Sequence, residues 1–138
     1  MFNSVLIPID LSNASAAKSM IQVAKQEGGK AAKIRLLTVI ESIPQYIAAE
    51  IPFDYVEKSS KEALQLLKAI ATESGHERLE VEVISGGSPG SAILDEAESW
   101  GADVIIIASH KPGLQDYFLG STAARVVRHA KCPVLVMR

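Results

Sequence analysis

A chain of 138 residues, 48% hydrophobic and 22% charged, has the length and balance of one globular domain with an enclosed core. Its formal net charge of −2 gives no electrostatic ground for nucleic acid or an anionic membrane as main partner. One cysteine, Cys132, excludes an internal disulfide framework, no apolar run approaches the roughly 20 residues of a membrane span, and Met1–Ile9 is too short for a secretory leader, so the expectation is a cytoplasmic protein.

Phe2–Ile9 is a short apolar run ending at Asp10 and reads as the first strand. Pro8 has no N–H to give a ladder, which places it at the strand's end. Ser12 or Asn13 is the expected cap of a helix with Ala17, Met20, Ile21 and Ala24 on one face, stopped at Gly28-Gly29. Ile34–Ile40 is a second strand, too apolar to have a fully wet face. Glu41–Phe53 holds two prolines and reads as loop or irregular segment.

Asp54, with Glu57 three residues on, has the pattern of a capping box opening the longest helix. Val56, Ala63, Leu67, Ile70 and Ala71 are its expected buried stripe, and Gly75 its end. Leu79–Ile84 alternates apolar residues with Glu80 and Glu82, the mark of a strand with one solvated face at a sheet edge. Ser88 as cap and Pro89 at the first position start another helix, which faces Ile93, Ala97 and Trp100 inward and closes at Gly101. Val104–Ala108 is a buried fourth strand, a loop with Pro112 and Gly113 follows, and Gly120-Ser121 opens a helix with Ala124, Val127 and Ala130 at helical spacing. Pro133–Met137 is the fifth strand.

Strands alternating with helices call for an α/β fold, a doubly wound parallel sheet with helices on both faces. Ligands of such sheets bind outside the carboxyl ends of the strands, where the strand order reverses. Small residues at the start of the last helix, behind a buried strand, expose backbone N–H groups suited to phosphate. If the first and fourth strands are central neighbours, Asp10 and the stretch 108–113 meet at that crevice. Other signatures are missing: there is no G-x-x-x-x-G-K-[ST], no G-x-S-x-G, and no zinc-ligand spacing among one cysteine and three histidines.

The glycine pattern and its surroundings resemble the universal stress protein family. The likeness spans the chain: V-L-I-P-I-D at the start, L-L-T-V-I in the second strand, G-S-P before the third long helix, and R-H-A-K-C-P-V-L-V-M at the end. ATP-binding members carry G-x2-G-x9-G-[ST] between the fourth strand and the helix after it. The resemblance implies a five-stranded sheet in the order 3-2-1-4-5 within a single domain over 1–138. It also implies a homodimer, and a stress-response role rather than metabolic catalysis.

Carried over position by position, Gly120 and Ser121, with Thr122 beside them, fall where phosphates are held. Pro8, Ile9 and Asp10 fall at the strand end near adenine and ribose, and Val39 where the backbone reads the adenine edge. Ala108 stands in place of the first motif glycine, with Ser109 and His110 following as in the family. The loop from His110 to Gly120 is one residue shorter than the motif and has Lys111-Pro112 where the second glycine would be. Gly113 is the expected source of the missing backbone freedom, and Lys111 of charge toward phosphate. The expected ligand is thus ATP, with or without Mg2+.

No base and no second acid are positioned for phosphoryl transfer, so at most slow hydrolysis is expected. V-L-V-M, an apolar strand at the carboxyl end, is the expected seam of a homodimer. Two other readings compete: a nucleotide-free member of the same fold acting as a protein-interaction module, which Ala108 favours, and a phosphoacceptor receiver domain. The receiver wants an acidic pair after the first strand and an aspartate after the third, where this chain has Asp10 alone and Ser85-Gly86.

Overall fold

The computed structural model describes residues 2–109 and 119–138. Strands β1 (Ser4–Pro8), β2 (Lys33–Ile40), β3 (Leu79–Ser85), β4 (Val104–Ala108) and β5 (Val134–Met137) form one parallel sheet, ordered β3-β2-β1-β4-β5. The strand order is the one the family resemblance implied, and β3 lies at an edge as its alternation required. Between the strands run α1 (Ser15–Gly28), α2 (Gln45–Ala48, a single turn), α3 (Tyr55–Ser74), α4 (Pro89–Trp100) and α5 (Ser121–His129).

Period-two alternation in the central strands builds two cores. Val5, Ile7, Ile34, Leu36, Val104 and Ile106 point to the face covered by α1 and α3. Leu6, Leu37, Ile105 and Ile107 point to the face covered by α4 and α5. Val5, Leu6 and Ile7 are wholly inaccessible, so β1 is dry on both faces. The continuous apolar runs of β1 and β4 arise from that double coverage.

Helix starts depart from the sequence reading in three places. Neither Ser12 nor Asn13 caps α1: Leu11–Asn13 form a 3-10 turn, and α1 begins at Ser15 after Ala14. The cause is Asp10, whose carboxylate takes the Ser12 amide before the helix can form. Asp54 stands at the N-cap of α3 with φ −91° and ψ 5°, not the extended backbone a capping side chain needs. Only its carbonyl serves the helix, accepting the Lys58 N–H at 2.9 Å. Ser88 does precede α4 in an extended conformation with Pro89 at the first position, but its hydroxyl makes no cap bond.

The inward face of α5 also differs. Ala123 and Val126 are buried, whereas Val127 is 46% exposed and Ala124 only half-buried. Ala123, Val126 and Ala130 form the stripe that joins the α4 core. An alanine- and valine-rich nonamer offers two nearly equivalent stripes, and the direction in which the chain leaves Gly120 selects between them. On α3 the buried stripe narrows to Ala63 and Leu67, because this helix lies over the β2–β3 edge and its flanks stay wet.

Candidate functional site

The carboxyl ends of β1 and β4 diverge at the reversal of strand order and leave a cleft of about 580 Å³. That volume suits a ligand of nucleotide size.

The β1 side is built by hydrogen bonds across to β2. Pro8 ends the strand, and the next amide, Ile9 N–H, donates to the Leu37 carbonyl at 2.7 Å, carrying the ladder one step past the proline. Ile9 in turn accepts the Thr38 hydroxyl at 3.0 Å. Asp10 then turns the chain: its Oδ1 accepts from the Ser12 amide at 2.9 Å and the Ser12 hydroxyl at 2.6 Å. Pro8, Ile9, Asp10 and Val39, singled out in the sequence, all line the cleft.

On the opposite wall, Ala108 ends β4 and Ser109 anchors the connection to α5. Ser109 N–H donates to the Met137 carbonyl at 2.8 Å, and the Ser109 carbonyl accepts Gly120 N–H at 2.7 Å. The two ends of the connection are thereby tied together at the rim. Ala108, Ser109, Gly120, Ser121 and Thr122 line the cleft, while His110, Lys111 and Gly113 lie outside the described residues. No side chain caps the start of α5 among the described residues, so its first-turn amides are donors without a helical acceptor. The Ser109 hydroxyl is buried and finds no hydrogen-bond partner among the described residues.

The structure adds lining residues that the sequence did not single out. Thr38, the one hydroxyl in the apolar run of β2, forms part of the floor, and Pro89 and Ile93 of α4 close one side. An isolated polar residue in a doubly covered strand was the available signal for Thr38; nothing local marks Pro89 or Ile93. Asp10 and Glu41 are the charged side chains on the cleft among the described residues, and both are acids. Attraction for an anion therefore comes, among these residues, from the N-terminal end of α5. The described residues hold no cluster of three metal-ligating side chains.

Comparison with known proteins agrees with this architecture. The sequence model described as the Universal stress protein family matches residues 1–138. Universal stress protein MJ0531 of Methanocaldococcus jannaschii is 32% identical over 143 aligned residues, covering 100% of this chain and 83% of that protein. Among solved structures, the hypothetical protein MJ0577 superposes with a TM-score of 0.76 at 26% identity, over 99% of this chain and 96% of its own. A universal stress protein in complex with cAMP superposes with a TM-score of 0.71 at 21% identity, over 99% and 97% of the two chains.

Proposed function

Because the chain belongs to the universal stress protein family, we propose that it binds an adenine nucleotide, ATP in the first instance, in the cleft between β1 and β4. The observation that carries this reading is the uncapped start of α5 opening onto the point where strand order reverses. Adenine would rest against Ile9 and Val39, ribose near Asp10, and phosphates over Gly120, Ser121 and Thr122. The unpartnered Ser109 hydroxyl supplies one more polar group at the phosphate end. The cAMP-bound neighbour supports the reading as an example of this fold accommodating an adenine nucleotide.

Bound ATP would act as a regulatory ligand, with hydrolysis slow or absent. The described cleft residues present two acids, Asp10 and Glu41, and Asp10 already spends one carboxylate oxygen on Ser12. Efficient phosphoryl transfer asks for a held metal and an oriented nucleophile. Equilibrium dialysis of the purified protein against labelled ATP tests the binding: saturable uptake at millimolar nucleotide or below is expected, and none would end the proposal.

Dimerisation through β5 belongs to the same reading. The strand forms the second edge of the sheet, with Leu135 40% exposed, and Val127 of the neighbouring α5 is exposed as well. An apolar edge strand without inward charge is rarely left bare, and a two-fold partner covers it at little cost. Ala108 favours the competing reading, a nucleotide-free interaction module, since its Cβ occupies space that glycine leaves open. Mass spectrometry for nucleotide carried through purification separates the two.

A further inference from the structure

Arg35 interrupts the apolar run of β2 and projects to the α4 side of the sheet, where three carboxylates converge on it. Its Nε and Nη2 donate to Glu80 Oε1 at 3.0 and 2.8 Å, and its Nη1 donates to Glu82 Oε2 at 2.9 Å. The same Nη1 also donates to Glu96 Oε1, which reaches over from α4. Above the guanidinium lies Trp100 of α4, its ring centre 4.7 Å from the Arg35 carbon. Glu80 and Glu82 come from β3, Arg35 from β2, and Glu96 and Trp100 from α4; among the described residues these are the charged and aromatic groups that meet here.

The charge balance is uneven. One guanidinium faces three carboxylates, so full ionisation leaves an excess of two negative charges. Glu96 is only 9% exposed, and Glu82 and Glu96 crowd the same nitrogen. Two carboxylates in such proximity relieve the repulsion by holding one proton between them. Burial raises the Glu82 pKa, and the hydrogen bond and charge of Glu96 and the charge of Glu80 add to it against the pull of Arg35. Arg35 cannot supply relief: burial works against its charge, but the hydrogen bonds to Glu80 and Glu96 outweigh it and raise its pKa.

We propose that Glu82 and Glu96 share one proton over Arg35, and that this proton clamps α4 to the β2–β3 side of the sheet. Mild acid then tightens the clamp and rising pH loosens it. Glu96 lies one turn from Ile93, which with Pro89 forms the α4 wall of the cleft, so the state of the clamp reaches the candidate site through a single helix. The device is independent of which ligand the cleft takes. Its sign follows from linkage: a carboxyl whose folded pKa is raised adds stability fully present below the ordinary carboxylate range and lost as pH climbs through the raised value.

Amide hydrogen exchange of α4 in the full chain without nucleotide, corrected for intrinsic rates, tests the clamp. Wild type is expected to lose protection as pH climbs above the ordinary carboxylate range, by about tenfold for each unit by which the shared proton is held above its unfolded value. Glu82→Gln carries the proton's hydrogen bond permanently and is expected to keep α4 protected over the same climb; Glu96→Gln does the same from the other side. A Glu82→Gln protein that follows the wild-type pH profile, or is less protected than wild type at both ends, overturns the proposal. Carboxyl-carbon NMR titration of the wild type decides even where a variant fails to fold: a raised midpoint for Glu82 supports the clamp, and an ordinary one ends it.

Discussion

The Thr38 hydroxyl donates to the Ile9 carbonyl at 3.0 Å, joining two neighbouring central strands just where both reach the cleft floor. Thr38 is 5% exposed, so the bond is shielded from water. Thr38→Val keeps the shape and removes the donor. A loss of about 1 kcal/mol in unfolding free energy is expected, read from the urea midpoint. ATP affinity should fall in the same variant, because the Ile9 end of the cleft loses its tie to β2. An unchanged midpoint would show that the bond contributes nothing.

Ser121 separates helix stability from ligand binding. An acidic side chain in the first turn of α5 favours the helix by about 0.3–1 kcal/mol, while the same charge opposes phosphate. Ser121→Asp should therefore leave the thermal midpoint unchanged or higher and weaken ATP binding by at least about tenfold, roughly 1.4 kcal/mol. Equal affinity in dialysis would move the phosphates away from this helix start.

Gly28 ends α1 in close quarters. A Cβ there would lie 2.5 Å from the Ala32 Cβ and 3.0 Å from the Phe2 carbonyl oxygen, neither of which is the tip of a flexible side chain. Gly28→Ala should cost about 1–3 kcal/mol, as overpacking of a tight contact does. Denaturant unfolding checks it, and a wild-type midpoint would mean that the turn after α1 gives way freely.

Leu135 tests the seam. Its exposure means that Leu135→Asp leaves the folded chain intact by circular dichroism, while the charge blocks edge pairing. Sedimentation at micromolar concentration should show dimer for wild type and monomer for the variant. A wild-type mass from Leu135→Asp would put the seam elsewhere.

Burial pushes the Cys132 thiol up, and the nearby charge of Asp103 adds to the shift. Less thiolate is then present at neutral pH than in a free cysteine. Iodoacetamide should alkylate Cys132 more slowly than glutathione at pH 7.5, with the gap closing as pH rises. Labelling as fast as glutathione would contradict this.

Local patterning in the chain determined the order of elements, the glycine stops at Gly29, Gly75 and Gly101, and the doubly covered character of β1 and β4. Apolar spacing reports burial directly, and burial needs no knowledge of the partner. With the crevice rule for parallel sheets and the strand order that the family resemblance implied, Asp10 and the stretch from Ala108 were placed at one crevice.

Tertiary structure alone decided the rest. Whether α5 buries Val126 or Val127 is a rotation of a helix with two similar stripes, settled by where Gly120 is held against Ser109. Asp10 acts on Ser12 because β1 ends in a turn of one definite shape. The solvated face expected of β3 became the seat of an ion cluster because parallel register sets Arg35 opposite Glu80, and α4 lays Glu96 across them. Charges 45 and 61 residues apart along the chain carry no local signal of each other; register and helix placement make them neighbours.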